Sequence, residues 1–231
     1  MVMMRYPDCP NPDRAALKAL GDAVRERLAD DPSAYKVPVD RAELWAIGDF
    51  LSPDECARVI ALIDAGAKPS DILQQGTYTN AWRTSYSGDV DPHDPFVQMI
   101  ERRIDDTLGI DHGWGETMQG QRYAQGQEFR EHMDWFWTKA PYWKKEKLRG
   151  GQRSFTAMIY LNDVEQGGTT DFINIGVSIP PSQGVLMVWN NATPEGELNH
   201  DTIHAGTPVV KGTKYVITKW YRTRKWEPQC A

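Results

Sequence analysis

His132 is followed two residues later by Asp134. On a strand over 127–134, side chains at i and i+2 point to the same face, so this pair could hold one metal ion. Alone the H-x-D pattern says little, because a polar pair on a strand's wet face produces it too. Farther along, His204 lies in the run Thr202-Ile203-His204-Ala205-Gly206-Thr207-Pro208-Val209, and ten residues later Lys214 opens a predicted strand that runs to Tyr221. Period-two geometry puts Lys214, Val216, Thr218 and Trp220 on one face. A lysine among apolar neighbours is costly unless an anion meets it. Lys219, on the opposite face, reads as an ordinary surface lysine. Two histidines and one carboxylate make the facial triad of non-haem Fe(II) oxygenases, which leaves positions open for substrate and O₂.

The other histidines offer less. His200 and His204 stand at i and i+4, which on a helix could bind zinc. A hydrolytic H-E-x-x-H site needs a glutamate directly after its first histidine, and Asp201 stands there instead. His200 therefore reads as a loop residue at the site mouth, and a zinc hydrolase is the lesser alternative. His93 and His112 sit in or beside turns and read as solvated.

The elements that must position these residues follow from the rest of the chain. It has 231 residues, with 26 Lys+Arg against 32 Asp+Glu for a net charge of −6. That length fits one domain, or at most two. No run of 18 apolar residues argues for a membrane span, and no apolar leader follows Met1. The acidic balance and the lack of a basic stripe argue against nucleic acid as a partner. Cys9, Cys56 and Cys230 are odd in number and widely spaced, which suits a reducing cytosol and a cytoplasmic protein. Cys56 reads as a core residue. Residues 11–29 predict an amphipathic helix capped by Asn11, with Pro12 first and Leu17, Leu20, Val24 and Leu28 inward. Residues 30–40 read as a linker, so 1–41 form an N-terminal segment and 42–226 the main domain. A first strand is predicted at 43–47. Ser52 and Glu55 form a capping box for a helix carrying Val59, Ile60 and Ile63 and ending near Gly66. Another helix starts at Asp94-Pro95 and uses Phe96, Met99, Ile100, Ile104 and Leu108. From 118 to 224 short strands alternate with Gly and Pro turns, among them Ser154–Leu161 and Val185–Trp189. Helices first and strands afterwards predict an α+β fold, with helices on one side of a mainly antiparallel barrel or jelly roll.

The strand-rich half resembles the catalytic domain of prolyl 4-hydroxylases, within the 2-oxoglutarate/Fe(II) dioxygenases. The matching pieces stand in order: Tyr123, then Gly126 to Asp134, Gly150-Gly151-Gln152-Arg153, and Thr156 to Val164. Gly167-Gly168-Thr169-Thr170-Asp171-Phe172 follows, similar to the family's G-G-x-T-x-F, and then His204 to Val209 with Lys214 and Trp220. Residues 47–63 resemble the family's lead-in helix, and Trp82-Arg83-Thr84-Ser85 its R-T-S segment. The resemblance implies a double-stranded β-helix core over 118–224. It implies Fe(II) held by His132, Asp134 and His204, and 2-oxoglutarate held by Lys214, Thr170 and Tyr123 and walled by Trp220. It implies O₂ as oxidant, ascorbate as reductant, and hydroxylation of a C–H bond coupled to formation of succinate and CO₂. Asp134 is the carboxylate that halogenases of the superfamily lack, so hydroxylation is preferred. The nucleic-acid demethylase branch uses arginines after the distal histidine, where Val210 and Lys214 stand here.

A peptidyl proline is the leading substrate, because Arg83-Thr84-Ser85 matches the family's segment. A free amino acid or another small metabolite is the alternative, as is a catalytically silent binding module. Trp135, Phe136, Trp137, Tyr142 and Trp143 follow Asp134 closely, and an aromatic entrance would suit an extended proline-rich peptide. Trp135 and Trp137 are the candidates for that role, against the plainer reading that the rings fill a core. Lys144, Lys145, Lys147 and Arg149 read as a solvated loop. The helix at 11–29 could pack on the barrel, dimerise or meet a partner.

Overall fold

The computed structural model describes residues 11–66, 68–69, 73–74, 77–78 and 83–227. In chain order they form α1 (Arg14–Asp30), β1 (Ala34–Lys36), β2 (Leu44–Ile47), α2 (Pro53–Gly66) and three two-residue strands, β3 (Lys68–Pro69), β4 (Leu73–Gln74) and β5 (Thr77–Tyr78). Next come β6 (Tyr86–Asp89), α3 (Pro95–Leu108), β7 (Gln119–Tyr123), β8 (Phe129–His132), α4 (Trp143–Arg149), β9 (Arg153–Tyr160), β10 (Gln166–Gly167) and β11 (Thr170–Phe172). The last are β12 (Val177–Ile179), β13 (Leu186–Asn190), β14 (His204–Gly206), β15 (Val209–Lys211) and β16 (Lys214–Arg222). The fold is the expected α+β jelly roll.

Local chemistry sets the helices. Ser52 Oγ accepts from the Glu55 N–H at 3.2 Å while Glu55 accepts from the Ser52 N–H at 2.9 Å, so the capping box forms. Asp94 accepts from the Phe96 N–H, and Gly109, at φ +66°, closes α3 in the left-handed conformation. Phe96, Ile100, Ile104 and Leu108 are buried, but Met99 lies off that stripe and is exposed. In α1 the capping position is Asp13 and not Asn11, whose side chain instead accepts from the Asp13 N–H at 3.1 Å. Leu17, Val24 and Leu28 are buried and Leu20 only partly.

An eight-stranded antiparallel sheet, β1-β2-β13-β9-β16-β7-β6-β3, faces a four-stranded one, β12-β11-β14-β8. Alternation along the large sheet sorts its residues. Phe155, Ala157, Ile159, Leu186, Val188, Ile217 and Tyr221 pack with α1, α2 and α3. Met158, Tyr160, Met187, Trp189 and Val216 turn the other way, toward Phe172 of the small sheet. Cys56 belongs to the helix-side core; Cys9 and Cys230 lie outside the described residues.

Further expectations change. The stretch read as a linker holds β1, which pairs with β2 from Ala34↔Ile47 to Lys36↔Trp45, so the expected boundary at 41–42 falls inside a hairpin at the sheet edge. The basic run 144–149 is a short helix. Its lysines are exposed as expected, while Trp143 and Glu146 face inward. Lys219 is not a surface lysine: it is 1% exposed, with Nζ 2.8 Å from Asp105 and 3.8 Å from Glu101. Asp105 also accepts from Tyr221 and meets His112 Nδ1 at 2.6 Å, so His112 is partnered rather than merely solvated. The opposite face of β16 is covered by α3, and the carboxylates that α3 brings make the buried ammonium tolerable. A Cβ at Gly115 would lie 2.2 Å from Lys219 Cε, so this contact requires glycine there.

Candidate active site

His132 and His204 are cross-strand partners on β8 and β14. Their rings lie 4.2 Å apart, centroid to centroid. Asp134 completes the group, and one ligand atom from each of the three lies within 4.8 Å of the others. The strand ends at His132, so Asp134 reaches the site from the turn beyond it and not from a strand face. His132 Nδ1 is 2.8 Å from the Arg130 carbonyl and His204 Nδ1 3.0 Å from that of Thr202. A carbonyl can only accept, so both rings carry their proton on Nδ1 and present a bare Nε2 to the shared space. These Nε2 atoms stand 3.9 and 3.8 Å from the Asp134 oxygens. Burial, reinforced by the His204 imidazole, holds His132 down to about 3, so it is neutral at ordinary pH, as a metal ligand must be. Burial pushes Asp134 upward, but His204, His132 and Arg153 outweigh it and keep the carboxyl below its usual range. Two imidazole nitrogens and one carboxylate fit a divalent first-row metal ion.

The three open on a narrow cavity of about 30 Å³ between the two sheets. Lys214, Thr170, Tyr123 and Trp220 line it, with Gln121, Phe129, Met158, Trp189, Gly206, Val216 and Thr218. Lys214 is 3% exposed. Among the described residues no carboxylate lies within ion-pair distance of its Nζ, which has only Thr170 Oγ1 at 3.4 Å and the rings of Tyr123 and Tyr160 at 5.6 and 5.4 Å. Burial lowers this ammonium to about 7, the Asp171 carboxylate offsetting little of it. A nearly enclosed cation facing a cavity is a receptor for an anion. Tyr160, missed in the sequence, donates to Thr170 Oγ1 at 2.8 Å. Its parity with Thr156 and Met158 on the predicted strand was the available signal. Tyr123 donates to Gln121 Oε1 at 2.7 Å.

Residues 118–222 match the family described as the 2OG-Fe(II) oxygenase superfamily. Prolyl 4-hydroxylase 5 of Arabidopsis thaliana is 31% identical over 203 residues, covering 78% of this chain and 68% of that protein. The chain belongs to the prolyl 4-hydroxylase-like 2-oxoglutarate/Fe(II) oxygenases. The prolyl 4-hydroxylase subunit alpha-1 of Mus musculus is 34% identical over 189 residues, which cover 82% of this chain but only 34% of that subunit. The chain thus spans about a third of the alpha-1 subunits it matches. The viral collagen prolyl hydroxylase of Paramecium Bursaria Chlorella virus-1, solved as a 2-oxoglutarate complex, is 27% identical with a TM-score of 0.58, over 78% of this chain and 95% of that one. A Pseudomonas putida prolyl-4-hydroxylase, 21% identical over 88% of this chain and 98% of that one, shares the fold at a TM-score of 0.53. Members of this family use Fe(II), 2-oxoglutarate and O₂, and the donor set and the buried Lys214, with no carboxylate at ion-pair distance among the described residues, suit the first two.

Other residues expected near an oxygenase substrate are scattered. Arg83 is buried beside the site wall, donating to Ser85 at 3.0 Å and Gln119 at 3.1 Å with its guanidinium over Phe129. Trp82 lies outside the described residues. Trp135 is buried against Leu17 and Ala192, away from the cavity, because α1 covers this segment. Trp137 donates its backbone N–H to Tyr142 Oη and does not line the cavity either. His200 is exposed and apart from the triad, so the zinc pair does not form.

Behind Trp220 and Asp134 lies a charge cluster that the sequence did not reveal. Glu116 takes Arg153 in a two-pronged bond at 2.7 and 2.8 Å and lies 2.7 Å from Arg222 Nε. Arg222 also pairs with Glu146. Arg153 covers Trp220 at 4.2 Å, and the two guanidiniums flank Phe136 at 4.8 and 4.4 Å. Glu116→Ala leaves two guanidiniums short of their shared anion in an enclosed place. It is expected to cost about 3 kcal/mol, lowering the thermal midpoint by about 6–12 °C in a chain of this size; calorimetry checks this.

Proposed function

We propose that this chain is an Fe(II)- and 2-oxoglutarate-dependent dioxygenase that hydroxylates a peptidyl proline. The observation that carries the reading is one cavity with His132, Asp134 and His204 on one wall and a buried, carboxylate-free Lys214 on another. When bound, the ion would activate O₂, the oxidant, and the diacid would give up two electrons in becoming succinate and CO₂, one oxygen atom going to succinate and the other to a substrate C–H bond. The chain binds and orients. His132, Asp134 and His204 hold the ion. Lys214 pairs with the distal carboxylate of the diacid. Because Tyr160 donates to Thr170, the Thr170 proton is free to point at that carboxylate. Trp220, Met158 and Val216 exclude water from it. The Tyr123 ring walls the cavity near the lysine, its hydroxyl proton given to Gln121.

The choice of proline rests on the relatives, which are named prolyl 4-hydroxylases, and on Arg83-Thr84-Ser85 beside the wall. A second reading, the same chemistry on a free amino acid or small metabolite, gains from one finding: neither Trp135 nor Trp137 lines the cavity, so no aromatic groove speaks for an extended peptide. Ascorbate as reductant and a cytoplasmic setting, the latter from the cysteine usage, complete the proposal. No helix among the described residues is long and apolar enough to cross a membrane.

The test incubates the protein with Fe(II), ascorbate, 2-oxoglutarate and O₂ in the presence of proline-rich peptides or free amino acids. Succinate release and a one-oxygen mass gain on a peptide proline are expected. Gain on a free amino acid would favour the second reading. Tight binding of 2-oxoglutarate with no decarboxylation under any condition would overturn the proposal in favour of a silent binding module.

A further inference from the structure

Asp134 has no strand to fix it, since β8 stops at His132. Its orientation must come from side chains, among them a relay of two. Thr156 Oγ1 donates to Asp134 Oδ2 at 2.8 Å, and Asn191 Nδ2 donates to Thr156 Oγ1 at 3.0 Å. All three residues are buried, Thr156 completely. The direction of the relay is fixed by chemistry. An ionised carboxylate can only accept, so the single Thr156 proton points at Asp134; the threonine oxygen is then an acceptor, and only the amide nitrogen of Asn191 can face it. Thr156 stands on β9, and Asn191 directly follows the last residue of the neighbouring β13, with its N–H bonded to the Ser154 carbonyl at 2.8 Å.

We infer that Thr156, backed by Asn191, is a positioning residue that locks the Asp134 carboxylate in the rotation that faces the two Nε2 atoms. The inference rests on the reading of His132, Asp134 and His204 as a metal site. With Oδ2 held by the hydroxyl, Oδ1 is the less encumbered oxygen. Thr156→Val keeps the side-chain shape and removes the proton, leaving Asp134 free to turn.

The test titrates the metal-free full chain with Co(II), following its visible absorption, and uses no turnover. Thr156→Val is expected to weaken Co(II) binding by about 10–100-fold and to shift the absorption bands, as loss of an outer-shell partner does, whereas Thr156→Ser keeps the hydroxyl and should stay within about threefold of native. Native Kd and an unshifted spectrum in Thr156→Val would overturn the inference while leaving the metal site standing. Failure of the native chain itself to bind Co(II) would overturn both. Should Thr156→Val not fold by circular dichroism, Asn191→Ala carries the test: a weaker Kd supports the relay and an unchanged one overturns it.

Discussion

Asp134→Ala should give a folded protein that forms no succinate above the enzyme-free background and no longer retains iron. The reason is the charge balance of the site. Neither imidazole brings negative charge, so Asp134 supplies the only negative charge among the three groups. Loss of an outer-shell partner already weakens a metal by about 10–100-fold, and loss of a charged ligand must exceed that. Folding should survive. Among the described residues no lysine or arginine lies within ion-pair distance of Asp134, and its loss strands chiefly the Thr156 hydroxyl, a cost of about 1 kcal/mol. Asp134→Asn separates charge from shape and is expected to be equally silent. Metal analysis after dialysis, succinate assay and a thermal midpoint on the same samples check this. Turnover near the native level in either variant would sink the assignment of the ion.

The triad was legible because its pieces are local or paired by strand geometry. His132 and Asp134 are two apart, and the strand run around Lys214 gave the parity that turns Lys214 into the cavity. That same parity sent Lys219 the other way correctly but misjudged what it meets. The far face of β16 is not solvent but α3, and only the fold brings Asp105 and Glu101 from more than a hundred residues upstream to Lys219. Trp135 failed for a related reason. Adjacency to Asp134 suggested the entrance, yet Leu17 of α1 covers it. α1 had no assigned task in the sequence. In the structure its capping Asp13 accepts from the Gln152 N–H at 2.8 Å, and the Gln152 side chain in turn brackets Phe136, accepting its N–H at 2.8 Å and donating to its carbonyl at 2.9 Å. Two residues from Asp134, the backbone is therefore held by a helix outside the family match. Period and propensity report which face a residue takes; they carry no record of which distant element covers that face.

Lys214→Met should split binding from stability in opposite directions. Truncating one partner of a buried charge pair costs about 2–5 kcal/mol, so the 2-oxoglutarate concentration for half-maximal turnover should rise about 30-fold or more. The chain without 2-oxoglutarate, by contrast, holds an ammonium with no counter-ion, and burial has moved it from 10.5 to about 7. Here the folded-state value lies below the unfolded one. Between pH 7 and 10.5 the unfolded chain binds the proton that the folded chain has released, so stability rises with pH across that window and is lowest below it. The native thermal midpoint, without cosubstrate, should therefore climb from pH 7 upward by this contribution. Lys214→Met should remove that slope and melt higher than native at pH 6, because a methylene-rich side chain of similar length fills the same space without a charge to desolvate. Adding 2-oxoglutarate should reverse the order: the diacid restores the charge on Lys214, stabilises the native chain and takes up a proton above pH 7, and does neither in the variant. Calorimetric titrations in buffers of different ionisation enthalpy read the proton directly. A variant that melts lower than native at pH 6, or that is stabilised by 2-oxoglutarate as strongly as native, would mean that the lysine is satisfied by the protein itself and is not waiting for an anion.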